Sequence, residues 1–120
     1  MTFEITITDC FSASHQLRLY DGSLECIHGH NWTVMVSVAA PQLDEIGVVM
    51  DFHVLERRLR KIIGPFHNHH LNDLEPFNHT NPSAENIALH IADTLRLPAK
   101  VKLMCVEVWE TPENRARVKP

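Results

Sequence analysis

Nine histidines in 120 residues give this chain a high density of a side chain that is costly to bury unpartnered, titrates near neutral pH and ligates metals. Two of them form His28-Gly29-His30. In an extended segment, residues two apart point to the same side, so both imidazoles can reach one ion. At this histidine content a His-x-His triplet arises by chance roughly 0.7 times per chain, so the pair needs further ligands before it makes a site.

The elements that would position these groups follow from hydrophobic period. Phe3, Ile5 and Ile7 alternate with polar residues, which predicts a half-buried strand running on toward His15. After a polar turn at Tyr20-Asp21-Gly22-Ser23, a second strand from His30 to Ala39 puts Trp32, Val34, Val36 and Val38 on one face, ended by Pro41. From Asp51 the period becomes helical: Phe52, Leu55, Leu59, Ile62 and Ile63 share a stripe, with Asp51 as N-cap and Gly64 as the stop. Ser83 caps a second helix with the stripe Ala84, Ile87, Ala88, Ile91 and Leu95, closed by Pro98. Residues 65–82, rich in His, Asn and Pro, read as an ordered loop. Val101–Glu110 predicts a third strand and Arg115–Val118 a short fourth. The order β-β-α-α-β-β predicts one α+β domain over residues 1–120, a four-stranded antiparallel sheet with both helices on one face.

Bulk properties exclude several classes. A net charge of −4 argues against a nucleic-acid footprint, and the one basic run, Arg57-Arg58-Leu59-Arg60-Lys61, reads as a solvated helix face. Cys10, Cys26 and Cys105 form no Cys-x-x-Cys pair and are odd in number, which suits a reducing compartment such as the cytoplasm. Thr2–Asp9 alternates in polarity and carries acids, unlike a signal peptide, and no apolar run approaches the length of a membrane span. A chain of this length buries roughly two-thirds of its unfolded surface, so a metal here would serve chemistry rather than stability.

Phe11-Ser12-Ala13-Ser14-His15 followed by Glu25-Cys26-Ile27-His28-Gly29-His30-Asn31-Trp32 resembles the paired signature of the 6-pyruvoyltetrahydropterin synthase and 6-carboxytetrahydropterin synthase superfamily. The resemblance continues at Val49-Met50-Asp51-Phe52, Leu71-Asn72-Asp73, Pro82-Ser83-Ala84-Glu85-Asn86 and Val108-Trp109-Glu110-Thr111-Pro112. It implies the tunnelling fold, a hexamer of two stacked trimers with active sites between subunits, and Zn²⁺ on His15, His28 and His30. Three imidazoles leave an open position, the arrangement of a catalytic zinc, where a hydroxyl of the pterin side chain would bind. Glu110 then corresponds to the pterin anchor, since a carboxylate suits the paired N–H donors on a guanidine-like edge. Ser83 is an N-cap by pattern, with a pterin contact implied by the resemblance.

The pattern also departs from the family's. Where producers of the pyruvoyl or carboxy product carry a cysteine, four before His28, stands Leu24. Glu25 instead resembles the glutamate of the subgroup that cleaves the side chain to 6-hydroxymethyl-dihydropterin. The family's Asp-His pair falls on His67 and Asn68, leaving His67 or His69 as the histidine expected to move protons, with His70 beside them. The expectation is a zinc-dependent lyase or synthase acting on a reduced pterin such as 7,8-dihydroneopterin triphosphate, with Glu25, His69 and His67 as catalytic groups. A pterin- or purine-binding protein that keeps the zinc without turnover is the alternative. A zinc-storage protein would explain the histidines and leave the Glu110 motif without a purpose.

Overall fold

A computed structural model describes residues 1–120. Its frame is a long hairpin. Strand β1 (Phe3–His15) pairs antiparallel with β2 (His28–Ala40) through an unbroken register from Phe3↔Ala40 to His15↔His28. Because side chains alternate along a strand, Ile7, Phe11 and Ala13 of β1 share one face with Trp32, Val34, Val36 and Val38 of β2, and all seven are buried. Phe11 stacks on Trp32 at 5.9 Å between ring centroids.

Helices α1 (Phe52–Ile63) and α2 (Ala84–Thr94) contribute buried stripes to the same 24-residue core, Leu55, Leu59 and Ile63 from the first, Ala84, Ile87, Ala88 and Ile91 from the second. Asp51 caps α1 by accepting from the His53 amide, and Ser83 caps α2 by accepting from the Asn86 amide. The carboxyl of Asp51 is held below the usual range chiefly by that backbone bond. The sheet then continues through two further antiparallel strands, here β4 (Lys102–Thr111) against β2 and β5 (Asn114–Val118) against β4.

Four details differ from the sequence pattern. The sheet has five strands, ordered β3-β1-β2-β4-β5, because His69–His70 form a two-residue strand β3 parallel to β1, which makes the sheet mixed. Residues 65–82 therefore hold more than a loop, including 3-10 turns at Gly64–Phe66 and Leu71–Asp73. The turn into β3 is made by Asn68, whose φ of 60° is one asparagine tolerates and whose amide donates to Ser12 O at 2.6 Å. Gly64 ends α1 with an ordinary right-handed φ of −55° and passes the chain into the 3-10 turn, so its glycine freedom is unused. Phe52, in the first turn ahead of the buried Leu55, is 49% exposed. Finally α2 stops at Thr94, before Pro98.

The molecule measures 53 × 26 × 24 Å, with a radius of gyration of 15.5 Å against about 14 Å for a compact chain of this length. Thirteen-residue strands reach about 44 Å, whereas a twelve-residue helix spans about 18 Å, so the hairpin overhangs its helical layer. Neither helix is long and apolar enough to cross a membrane.

A candidate metal centre at the mouth of the long hairpin

The last pair of the β1/β2 ladder is His15↔His28, and two positions inward His30 stands opposite Ala13, so the ladder itself delivers three imidazoles to one place. Their ring centroids are 4.6 to 5.3 Å apart. Glu110, near the end of β4, completes a group whose potential ligand atoms all lie within 4.8 Å of one another. Trp32 walls the site edge-on, 4.9 Å from the His15 ring and 5.4 Å from His30, with its indole N–H satisfied by Ala13 O. His15 is 1% exposed, an unusual position for an imidazole without a purpose.

The hydrogen bonds decide what these rings can hold. His15 Nδ1 lies 2.7 Å from Pro82 O and His28 Nδ1 2.9 Å from Cys26 O. A carbonyl only accepts, so each Nδ1 carries a proton and donates it, which leaves Nε2 as the atom each ring can offer to an ion. Those two Nε2 atoms face one another at 3.0 Å. Two facing lone pairs repel unless a proton or a cation lies between them. His30 Nε2 is buried, and the Glu110 carboxylate close to it is not aligned for a regular hydrogen bond, which leaves this nitrogen open to an ion. Burial holds the His30 imidazole below the ordinary histidine range, the rings of His15 and His28 push the same way, and the Glu110 carboxylate opposes them. Tetrahedral zinc at roughly 2.05 Å sets its ligand atoms about 3.3 Å apart; His15 and His28 Nε2 stand at 3.0 Å and all four candidate ligand atoms lie within 4.8 Å of one another, so these residues fit such an ion.

Both carboxylates reach the site through breaks in regular pairing. Between Trp109↔Arg115 and Thr111↔Asn114 the β4/β5 register shifts, leaving Glu110 without a partner on β5. Its Oε1 lies 2.9 Å from His30 Nε2, 3.5 Å from His15 Nε2 and 3.9 Å from His28 Nε2. In the hairpin loop, His15↔His28 is followed by the bridge Arg18↔Leu24, three residues along one side and four along the other. That extra residue turns Glu25 inward, with Oε1 3.8 Å from His28 Nε2 and accepting from the Leu17 amide at 2.9 Å. Cys26 is exposed and contributes its carbonyl to His28.

The 6-pyruvoyl tetrahydropterin synthase profile matches residues 4–120. The chain belongs to that family. It is 36% identical over 112 residues to the 6-carboxy-5,6,7,8-tetrahydropterin synthase of Synechocystis, covering 89% of this chain and 85% of that protein. It is 34% identical over 107 residues to the dihydroneopterin monophosphate aldolase of Pyrococcus furiosus, covering 86% and 85%. In fold it is similar to the structure of Caenorhabditis elegans 6-pyruvoyl tetrahydropterin synthase, with a TM-score of 0.84, 24% identity and coverage of 100% of this chain and 96% of that one. This is the tunnelling fold that the motifs implied, with its sheet extended by β3.

Within this family fold the residues singled out from sequence separate into two groups. His15, His28, His30 and Glu110 come together, with Glu25 at the margin. His67 and His69 lie outside that cluster, on the outer edge of β1. His67 Nδ1 accepts from the Ser12 amide at 3.0 Å, and His69 Nδ1 donates to His67 O at 2.8 Å. His69 and His70 share a shallow cleft of about 510 Å³ with His30 and Asn31, while His67 lies in a separate crevice beside Cys10 and Arg60. Ser83 acts as the cap of α2, directly after the Pro82 carbonyl that orients His15. That carbonyl and the one at Cys26 have no side-chain signature and could not be read from residue types.

Proposed function

We propose that this chain is a zinc-dependent enzyme that cleaves the side chain of a reduced pterin such as 7,8-dihydroneopterin triphosphate, with zinc on His15, His28 and His30. The observation that carries this reading is the pair of facing Nε2 atoms of His15 and His28, 3.0 Å apart beside a carboxylate held in place, in a member of a pterin-synthase family. Zinc bound there supplies a Lewis acid that lowers the pKa of a side-chain hydroxyl. Glu25 takes the proton of that hydroxyl, its orientation fixed by the Leu17 amide. The carbon bearing the hydroxyl becomes an aldehyde carbonyl as its bond to the neighbouring carbon breaks. The electron pair passes to the carbon next to the ring, conjugated with the pterin, and a proton returned there gives 6-hydroxymethyl-dihydropterin. His69, which shares a cleft with His30, is assigned that returning proton, and His67 the task of holding its segment against β1. Glu110 anchors the pterin, and Ser83, next to the Pro82 carbonyl that holds His15, is assigned a second contact by its resemblance to the family motif. The aldolase named for the Pyrococcus furiosus relative supports carbon–carbon cleavage over elimination.

A second reading has its own observation. Glu110 Oε1 is within 3.9 Å of all three imidazole nitrogens, which suits a fourth metal ligand as well as a pterin anchor. With the carboxylate so close, an ion held by the three imidazoles would have no position free for a substrate hydroxyl, which favours a zinc-containing pterin- or purine-binding protein that keeps the Glu110 anchor without turnover. Incubating the zinc-loaded protein with the tri- and monophosphates of 7,8-dihydroneopterin and weighing the products separates the two. We expect 6-hydroxymethyl-dihydropterin with its aldehyde partner. Tight pterin binding with no product would favour the second reading.

The same proposal includes assembly as two stacked trimers. The outer edge of β1 from Phe3 to Ser12 pairs with no strand, nor does the outer edge of β5, and open edges call for covering. Tyr20, Leu24 and Ile27 are exposed on the hairpin loop beside the metal centre. A sedimentation mass of one chain at micromolar concentration would overturn this. Three unpaired cysteines, two of them exposed, suit the cytoplasm.

A further inference from the structure

The segment leaving β1, Gln16-Leu17-Arg18, has lost its β2 ladder but not its hydrogen bonds. Gln16 N donates to Asn72 Oδ1 at 3.0 Å, and Asn72 Nδ2 donates back to Gln16 O at 2.7 Å. Arg18 N donates to Asn81 Oδ1 at 2.8 Å, and Asn81 Nδ2 donates back to Arg18 O at 3.0 Å. Each side-chain amide thus replaces the two bonds a neighbouring strand would make, across 56 and 63 residues of sequence. Between these two clamps Leu17 N donates to the Glu25 carboxylate, and Glu25 N closes the turn on Leu17 O at 3.0 Å. Three consecutive amides are satisfied by three side chains, the middle one at the edge of the metal centre.

Asn81 has a second connection. Its own carbonyl accepts from Asn86 Nδ2 at 2.9 Å, and the next residue, Pro82, supplies the carbonyl that holds His15 Nδ1–H. The side chain of Asn81 fixes one end of the site's backbone while its main chain leads directly to the other.

We propose that Asn72 and Asn81 are positioning residues of the metal centre, clamping the exit of β1 so that His15 and Glu25 face the ion together. The proposal rests on the assignment of zinc to His15, His28 and His30. Neither asparagine touches the centre; each acts through the backbone, which is the way outer partners of metal sites tune affinity.

The test is competition for Zn²⁺ between the folded protein and a chromogenic chelator, with parent, Asn72→Ala, Asn81→Ala and Asn78→Ala compared. Asn78 lies in the same loop, but its side chain bonds only the exposed Glu75. The clamp variants are expected to bind zinc about 10-fold more weakly or worse, and Asn78→Ala to match the parent. The second measurement uses the parent alone and stands even if a variant fails to fold. Coupling is reciprocal: if the opened clamp binds zinc about 10-fold more weakly, saturating zinc slows the opening that exposes the Gln16 and Arg18 amides by the same factor. Parent-like zinc affinity in both clamp variants, or exchange at those amides indifferent to zinc, overturns the proposal while leaving the metal assignment standing. A parent that binds no zinc at all overturns the metal assignment as well.

Discussion

The histidine half of the site and its carboxylate half are built by opposite means. His15, His28 and His30 stand on an uninterrupted ladder of thirteen residue pairs, backed by Trp32 and a continuous apolar face. Glu25 and Glu110 enter where pairing slips, one past the extra residue in the hairpin loop, the other at the β4/β5 shift. A regular ladder fixes ligand spacing to the precision of the strand repeat, which is what an ion with short, directional bonds requires. A bulge redirects a single side chain without disturbing its neighbours, which suits a group that must face a substrate. The division predicts that changes to the first half act on the metal and changes to the second act on the pterin.

The largest effect belongs to the ladder. Replacing His28 by Ala removes a ligand outright, so zinc affinity is expected to fall on the order of 10³-fold or more, beyond the roughly 10–100-fold that outer partners govern. Stoichiometric zinc at parent-like affinity in this variant would break the comparison at its root.

Glu25→Gln is next. Gln keeps an acceptor oxygen for the Leu17 amide but cannot take a proton, so the loop stays in place while the base is lost. Turnover should fall about 10²-fold or more, with zinc affinity within about 3-fold of the parent. Cys26→Ala should leave turnover nearly unchanged, since that residue serves His28 through its backbone carbonyl. Loss of turnover in Cys26→Ala with Glu25→Gln active would mean the slip has been assigned to the wrong residue.

That slip also marks where the sequence stops being legible. His28 and His30 could be read as a pair because a period of two is a local property of β2, whereas His15 joined them only through the resemblance, since the register that sets it opposite His28 is a property of two strands together. The buried stripes of α1 and α2 and both N-caps, Asp51 and Ser83, were visible because they too are local. Strand β3 was not, since two residues carry no period and its position depends on the left-handed backbone of Asn68. Nor were the Asn72 and Asn81 clamps, whose partners lie more than fifty residues away. From sequence, Glu110 could be assigned a pterin role only by resemblance; its closeness to His30 depends on a bulge that no residue type announces.

Glu110→Gln sharpens the division between metal and pterin. A hydrogen bond to a charged group contributes about 1.5–3 kcal/mol, so losing the charge at an anchor should raise the pterin Kd about 10- to 100-fold. Zinc affinity should stay within a few-fold. If zinc weakens and pterin binding does not, Glu110 is a fourth ligand and both halves of the site serve the metal.

The smallest effect tests whether histidine content alone signals chemistry in this fold. His90, on α2, sits outside the cluster against the rings of Phe66 and Phe77, at 5.9 and 5.7 Å. Burial holds its imidazole below the ordinary value of 6.5, with nearby Asp93 opposing. Below that value the unfolded chain takes up a proton at His90 more readily than the folded protein does, so the proton uptake favours unfolding. Stability from this residue is therefore complete above about pH 6.5 and declines as the pH falls toward the folded-state pKa. In His90→Leu this component should vanish, so urea midpoints of parent and variant, compared between about pH 7.5 and 5, should draw apart as the solution is acidified, the variant being the less sensitive. Zinc affinity at neutral pH should not change. Parallel midpoints across that range would show that His90 is accommodated as easily charged as neutral, and a loss of zinc would show that the separation between ladder histidines and packing histidines does not hold.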